Sequence, residues 1–497
     1  MKYIYRIFQG KIYRNLTAKP LNYDFGGGFL MSAGLMLFSV IFTAFAVSYG
    51  WGVRGFIIGG EKGALLPGAL MGMCIAVFTL GENAGNLWMF FAAAGALSTF
   101  YGGTETYAQT MSWILHRDVE GPYYNQVKKG VVGIFLKGGL WFAIPGLVLA
   151  LLPSALSGKY GMWEIILLFA LFPIVSVIGT KIFNSPYNKE KGQFPKIYFS
   201  LDRREEWGSN VLIIAVLLIF SLVKGDFFAV GAGVVGFIVG GAGFLIGLIL
   251  FDVERRHGRK IFGKIWEKHV IDGWKIMEHA FGAIAGGGLM LYFAMFSSHI
   301  TGLAGTYDPA ILTMGDDSFT GAIVCFALLL VTTLQYPVIY LFEKKKGYEP
   351  DINIFEIIER PLWSAVPLIL IFLGSYSAAS FAAVGTLFFA LCEKCALEKY
   401  EHSRFKAVLR APFCILWLLL PVWFFIKIGN ITMLDTMLSY TLGYTGACVM
   451  YTLQPDNIIA LKKGEKTFAQ AIGSGSTVTS HLVVQSIALV IFAAFCG

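Results

Sequence analysis

Long apolar runs follow one another along most of the chain and are separated by short polar segments. A run of about 20 apolar residues is long enough for a helix to cross the hydrocarbon core of a membrane. The pattern therefore predicts an all-α polytopic integral membrane protein with about 13 transmembrane helices. The predicted spans are residues 29–50, 87–113, 131–153, 162–182, 209–223, 227–251, 279–299, 319–342, 361–377, 378–393, 407–427, 432–453 and 477–496.

One stretch, residues 51–83, departs from this pattern because charged residues lie among several glycines and a proline. Ionisable groups and irregular backbone are tolerated at membrane depth only inside protein or beside a water-filled cavity. We interpret the stretch as a Gly-rich re-entrant or discontinuous segment at a functional site. A surface loop, or an ion pair between Arg54 and Glu61 that only supports the fold, is the alternative. The candidate solute- or ion-binding residues here are Arg54, Glu61, Lys62, Glu82 and Asn83.

Positive charges are distributed unevenly between the two sets of loops. If residues 51–83 return to the side from which they start, the N-terminus and every second loop share one side. That side then holds 31 of the 39 Lys and Arg residues. Because loops rich in Lys and Arg stay in the cytoplasm, the count predicts re-entry at 51–83, a cytoplasmic N-terminus and a C-terminus outside. It also predicts a multi-pass protein of the bacterial cytoplasmic (inner) membrane.

A short motif recurs along the chain: Thr-Leu-Gln, a nearby proline, and then Lys-Lys-Gly. It begins at Thr333 and again at Thr452, and a weaker copy begins at Thr180. Recurrence of this kind is typical of transporters built from structural repeats, although apolar segments also resemble one another by chance. We predict three parallel four-helix units. The predicted division is 1–28 (basic N-terminus), 29–86 (first span plus re-entrant segment), 87–223, 227–377 and 378–497 (repeat units).

The most polar patch within any predicted span is residues 100–110. If the span is one helix, Tyr101, Glu105 and Gln109 share a face because they are four residues apart. The corresponding positions of the other two units carry few polar residues, which favours a functional site here over a purely structural role. The candidate residues of this patch are Tyr101, Thr104, Glu105, Tyr107 and Gln109.

Three charged residues fall at about the same position of the three units, early in the second helix of each. They are Lys137, Glu278 and Arg410. Related by a pseudo-threefold axis, they could meet as a gate that a substrate opens. The alternative is three unrelated side chains that extend toward the membrane interface.

Composition and missing motifs exclude several classes of protein. The net charge of +8 is spread beside the spans, which is not the basic face of a nucleic-acid-binding protein. A single CxxC, Cys392 with Cys395, is weak as a metal or redox signal. Nucleotide-binding loops, hydrolase motifs and three-ligand His/Cys clusters are missing, so we expect neither a metal nor a cofactor. Tryptophans near predicted span ends, including Trp51 and Trp141, are expected in interfacial belts.

Repeated units, short loops and a charged Gly-rich segment favour a secondary active transporter. Its solute would be small and polar, such as a sugar, a sugar acid or another anionic metabolite, and protons or sodium ions would drive it. Its partners would be the lipid bilayer, the solute and the coupling ion, and assembly into a homo-oligomer stays open. A membrane-embedded enzyme acting on a lipid or lipid-linked glycan is the alternative, with acid–base residues drawn from Glu61, Glu82, Glu105 and Asp118. A channel is less favoured because no filter-like segment recurs in the three units.

Overall fold

The computed structural model describes residues 31–57, 60–103, 107–118, 126–201, 204–264, 273–304, 320–331 and 354–385, and a few positions between 431 and 465. Over these residues the regular elements are helices, and one isolated antiparallel bridge joins Asn188 to Gln193. The longer helices are α1 (Ala33–Ile57), α2 (Leu65–Leu80), α3 (Leu87–Gly102), α4 (Ala108–Leu115), α5 (Val127–Leu156), α6 (Met162–Phe183), α7 (Trp207–Val223), α8 (Phe227–Phe262), α9 (Gly273–Met295), α10 (Ser297–Ala304), α11 (Thr320–Val331) and α12 (Ile354–Phe372). Shorter helical turns are Gly60–Gly63, Gly81–Ala84, Tyr376–Ser380 and Phe381–Gly385.

Five of these helices, α1, α5, α6, α8 and α9, are long and apolar enough to cross a membrane. Large apolar side chains such as Leu167 and Ile219 stand exposed on the outer surface of the bundle. In water such a surface would be unfavourable, whereas lipid tails match it. The length of the helices and the apolar exterior define a helical membrane protein.

Helix α5 is the central element of the bundle, because its most apolar stretch is entirely enclosed by other helices. It packs against α8 through backbone-to-backbone contact at Gly138 and Gly240. A Cβ atom placed on Gly138 would lie 2.5 Å from the carbonyl oxygen of Gly240. Small residues at such crossings allow helix backbones to approach closely in the absence of a hydrophobic driving force.

Helix α2 runs antiparallel to both α1 and α3, and this differs from the predicted re-entrant hairpin. At one end Gly50 of α1 contacts Pro67, while at the other the rings of Phe42 and Phe78 lie 5.6 Å apart. On the opposite face of α2, Gly68 lies against Gly95 of α3. Sixteen helical residues extend about 24 Å. The chain therefore passes from one end of the bundle to the other between residues 65 and 80.

This path changes the predicted topology. Tyr101, at the end of α3, bonds to Ser209 at the start of α7, directly after the basic loop 184–206. The end of α1 lies at this same end of the bundle, which we call the basic end, and α1 begins at the opposite end. The start of α1 therefore lies at the end of the bundle opposite the basic loop, whereas the charge count expected it on the side of the basic loops. A crossing of the membrane at 51–83 in place of re-entry stays a prediction, since α2 is shorter than the five candidate spans.

Cysteine labelling tests this course of the chain. In a cysteine-free background, we expect Gly85→Cys and Lys159→Cys to react with a membrane-impermeant maleimide from one side of the membrane. Lys191→Cys, in the basic loop, should react from the other side. A side chain at Gly85 would meet open space, and the strain of its φ of +37° falls on an exposed turn between α2 and α3. If Gly85→Cys is labelled together with Lys191→Cys, the segment is re-entrant and the crossing is refuted.

Candidate functional site

The side chain of Arg54 lies near the end of α1 inside three aromatic rings, which we call the aromatic cage. Its guanidinium carbon lies 4.6 Å from the ring centre of Trp51, 5.0 Å from that of Trp141 and 5.6 Å from that of Tyr107. Its Nη2 donates a hydrogen bond to the Tyr107 hydroxyl at 3.3 Å. Only 4% of Arg54 and none of Trp51 is exposed. The guanidinium is thus enclosed by π faces.

Close helix contacts hold the cage in place. A Cβ atom on Gly282 of α9 would lie 2.6 Å from Cδ1 of Trp51, and one on Gly102 of α3 would lie 2.5 Å from Cδ1 of Trp141. Gly63 lies over the side chain of Arg54 in the same way, with 2.8 Å to Cγ. Because a larger residue at any of these positions would displace a cage member, the glycines of the Gly-rich segment and of α9 determine the shape of the site.

Two buried hydrogen-bond donors of the cage have no acceptor. They are Nε of Arg54 and the indole Nε1 of Trp51. The two residues are three apart on α1 and so lie on the same side of the helix. By contrast, Nε1 of Trp141 donates to the carbonyl oxygen of Thr99 at 2.8 Å. Buried polar groups in folded proteins nearly always have partners, so these two donors are available to an acceptor that enters the cage. A similar pair of donors elsewhere is Arg204 Nε and Trp207 Nε1.

The charge of Arg54 is also uncompensated. In the part of the chain that the structure describes, no carboxylate lies within ion-pair distance of its guanidinium. Each aromatic ring contributes about 0.5–2 kcal/mol of cation–π attraction. Removing an unpaired ion from water costs several kcal/mol even after relaxation. The three rings, and the position of Arg54 in the last turn of α1, offset a comparable amount without an ion pair, and an anion at the site would add to this stabilisation.

Beside the cage, α9 carries a buried ion pair that is already satisfied. Lys275 Nζ lies 2.6 Å from Glu278 and donates to the carbonyl oxygen of Gly52 at 3.0 Å. This contact places a positive charge one turn before the C-terminal end of α1. The adjacent His279 contacts the Ser48 hydroxyl through Nδ1 at 3.1 Å. The pair ties α9 to the helix that carries Arg54.

A second buried ion pair joins Lys137 of α5 to Glu205, which precedes α7, at 2.6 Å. Lys137 also donates to the Thr110 hydroxyl at 3.0 Å, and the second oxygen of Glu205 accepts from the Phe199 amide at 2.7 Å. Lys137 and Glu278 thus have separate partners rather than pairing with each other as a gate. Arg410, the third predicted gate residue, lies outside the described residues.

Tyr101 and Gln109, from the polar patch at 100–110, do not lie on one helix. Helix α3 ends at Gly102 and α4 begins at Ala108, so the predicted span 87–113 is interrupted and the prediction that these two residues share a helical face is wrong. Tyr101 is a packing residue, bonded to Ser176 at 2.7 Å and Ser209 at 2.5 Å. Gln109 accepts a hydrogen bond from the Ser200 hydroxyl.

The other candidates of the patch lie between α3 and α4. Tyr107 belongs to the aromatic cage, whereas Thr104 and Glu105 lie outside the described residues.

The other candidates of the Gly-rich segment are separated from one another. Lys62 has its ammonium nitrogen 5.7 Å from the ring centre of Trp363 on α12, outside the cage. The backbone of Glu61 lies in the turn Gly60–Gly63 close to Arg54, and its side chain is outside the described part. Glu82 and Asn83 lie in the turn Gly81–Ala84, at the far end of α2. Their backbone position excludes them from a site at Arg54.

At the end of the bundle opposite the basic end, Asp226 shows how a buried charge is normally accommodated. Burial alone would raise the pKa of Asp226. The carboxylate accepts hydrogen bonds from Ser154 and Tyr160, both at 2.5 Å, and from the Ala229 amide, and Lys159 lies 3.5 Å away. These contacts outweigh burial and hold the pKa of Asp226 below its usual range. Asp226 caps α8 in this way, and among the described residues Arg54 has no comparable set of partners.

Reasoning from the sequence missed four residues of this region. Trp51 and Trp141 were expected at the membrane interface, yet both are fully buried in the bundle. The spacing of Trp51 and Arg54 along one helix was the signal that could have joined them. Glu205 and Lys275 were not singled out, because their partners are found only through tertiary packing.

Comparison with known proteins gives no further identification, since no protein family, curated protein or solved structure matches this chain. The class that the fold defines is therefore the helical membrane proteins. The function has to be argued from the cage itself.

The Lys137–Glu205 pair yields a test of stability. Lys137→Met should lower the apparent melting temperature strongly, since loss of one partner of a buried pair costs about 3–5 kcal/mol. The double variant Lys137→Met/Glu205→Gln should recover most of that loss, because it removes the unpaired charge. Lys224→Met is the control, because its pair with Glu164 is partly exposed, and it should change the melting temperature little. Equal losses in Lys137→Met and Lys224→Met would show that the buried network does not support the fold.

Proposed function

We propose that this protein is a secondary active transporter of a small anionic solute, and that Arg54 binds the solute's negative charge. The observation that carries the proposal is the buried guanidinium, with no carboxylate within ion-pair distance in the described part of the chain. Ionisable residues within membrane proteins are costly, and their usual role is in substrate or ion pathways. An anion would satisfy both the charge and the orphan donors.

The burial of the aromatic cage supports a transport function. Because Trp51 and Arg54 are almost completely enclosed, a solute reaches them only if the surrounding helices separate. The break between α3 and α4 supplies the cage residue Tyr107, and the Gly-rich turn after α1 covers Arg54. Transporters commonly place their binding sites at such helix breaks and open them alternately to the two sides. Coupling to protons or sodium ions remains part of the proposal.

The alternative, an enzyme acting on a lipid or lipid-linked glycan, has less support from the geometry. Asp118, one of its four acid–base candidates, lies on the surface, is 69% exposed and pairs with Arg256 at 2.5 Å. Next to the cage, Glu278 is engaged with Lys275. A general acid or base must reach the bond that reacts, and Asp118 is not placed to serve a substrate held at Arg54. The side chains of Glu61 and Glu105 lie outside the described part.

For the architecture we retain three four-helix units, and we add α2 to the thirteen predicted spans. The basic end, with loop 184–206 and the end of α8, is assigned to the cytoplasm by its Lys and Arg content. The first helix then starts on the outer side, and the C-terminus remains outside. Location in a bacterial inner membrane stays a prediction. In this arrangement the aromatic cage lies toward the cytoplasmic end.

Uptake into proteoliposomes tests the proposal. Labelled lactate, glutamate, gluconate and mandelate would be offered with an inward proton or sodium gradient. We expect at least one to accumulate in a gradient-dependent way, and Arg54→Gln to reduce its uptake about tenfold or more, since a charge-assisted hydrogen bond is lost. Arg256→Gln, at a surface ion pair, is the matched control and should transport normally. Absence of gradient-driven uptake of any anion, or full activity of Arg54→Gln, would contradict the proposal.

A further inference from the structure

The chemistry of the aromatic cage also limits the kind of anion that fits it. Resting on the proposed function, we infer that the solute is a compact monocarboxylate with a flat apolar body, and that Trp51 binds its carboxylate together with Arg54. This assigns a binding role to Trp51 and excludes sugar acids and dianions as preferred solutes.

Among the described residues, the charge balance at the cage calls for one negative charge. Arg54 has no carboxylate within ion-pair distance there, whereas its neighbour Lys275 pairs with Glu278 at 2.6 Å. A phosphate monoester carries about −1.5 to −2 charges at neutral pH. Such an ion, or a dicarboxylate, would leave negative charge uncompensated in surroundings of low dielectric constant. A monocarboxylate leaves none.

The donors match a carboxylate. Nε of Arg54 and Nε1 of Trp51 are both buried without an acceptor, and the guanidinium carbon lies 4.6 Å from the Trp51 ring centre. A carboxylate has two oxygens that can accept from two separate donors. The indole of Trp141 is already bonded to Thr99 and does not take part. Trp51 is therefore the donor that supplements Arg54.

The rings beside these donors are apolar and pack directly on one another, so they line the site only after the surrounding helices separate. Phe281 lies 4.7 Å from Trp51 between ring centres and stacks on Phe244 at 4.5 Å, and Phe244 in turn lies 4.9 Å from Tyr107. Each hydroxyl of a polyol that loses water here without gaining a partner costs about 1–3 kcal/mol. A flat apolar body instead stacks on the rings, so these rings favour it over a sugar acid.

Isothermal titration of the full-length protein in lipid nanodiscs at pH 7 tests the inference. The probes are benzoate, gluconate (a polyhydroxy monocarboxylate), phthalate (a dianion) and benzamide (neutral and isosteric with benzoate). We expect benzoate to bind at least about tenfold more tightly than each of the others. Trp51→Phe keeps an aromatic ring but removes the donor and should weaken benzoate about tenfold. Trp113→Phe, a buried tryptophan outside the cage, should bind benzoate normally.

The outcomes separate the inference from the proposed function. Tighter binding of gluconate or phthalate, lost in Arg54→Gln, would overturn the solute class and leave an anion transporter. Unchanged benzoate affinity in Trp51→Phe would remove Trp51 from the site. Equal affinity for benzamide and benzoate would refute the monocarboxylate site even if Trp51→Phe fails to fold. If none of the probes binds in a way that depends on Arg54, the inference is overturned. The proposed function would still be supported if solute uptake into proteoliposomes requires Arg54.

Discussion

The burial of charge inside a bundle with an apolar exterior is the constraint on which this structure depends. Two lysines, Lys137 and Lys275, are buried against carboxylates, and each pair ties a helix to a neighbouring segment. Asp226 is held by hydroxyls, an amide and a partly exposed lysine. Against this background the aromatic cage is different, since the described groups closest to the guanidinium of Arg54 are three aromatic rings and one hydroxyl rather than a carboxylate. A buried positive charge without a carboxylate partner is stabilised incompletely, and this property is expected of an anion-binding site.

The cage exists because helices approach one another closely on several sides of it. Glycines at the crossings of α2 with α3, of α5 with α8 and of α9 with α1 bring backbones into contact. The aromatic side chains at these crossings then fill the remaining space and meet around Arg54. Packing of this kind is close to rigid. Opening the site therefore requires movement of whole helices, as alternating access does.

The sequence pattern was a good guide to helices and a poor guide to their course. The predicted spans 131–153, 162–182, 209–223 and 227–251 fall within α5, α6, α7 and α8, because apolar length is a local property. The course of residues 51–83 was inferred from a charge count that included the basic N-terminus, whereas the antiparallel packing of α2 places the start of α1 opposite the basic loop 184–206. Arg54 was selected as an unusual charge in an apolar segment, and that selection needed no tertiary information.

What the pattern could not supply was the identity of partners distant in the chain. Lys137 and Glu205 are brought together by the loop before α7, and no local spacing predicts this contact. The break at Gly102 likewise separates Tyr101 from Tyr107, although a continuous apolar run suggested one helix. Trp51 and Trp141 resembled interfacial anchors because their distance from the membrane surface depends on helix ends that the sequence leaves uncertain.

The central claim is that Arg54 is retained for binding rather than for stability. The most direct measurement compares apparent melting temperatures of the wild type and Arg54→Met in detergent, first without ligand and then with saturating benzoate. The account predicts that Arg54→Met melts at the same or a higher temperature without ligand, because an unpaired buried charge is removed. It also predicts that the ligand-induced increase is confined to the wild type. A lower melting temperature for Arg54→Met, with an unchanged response to ligand, would show that Arg54 is a structural element and contradict the account.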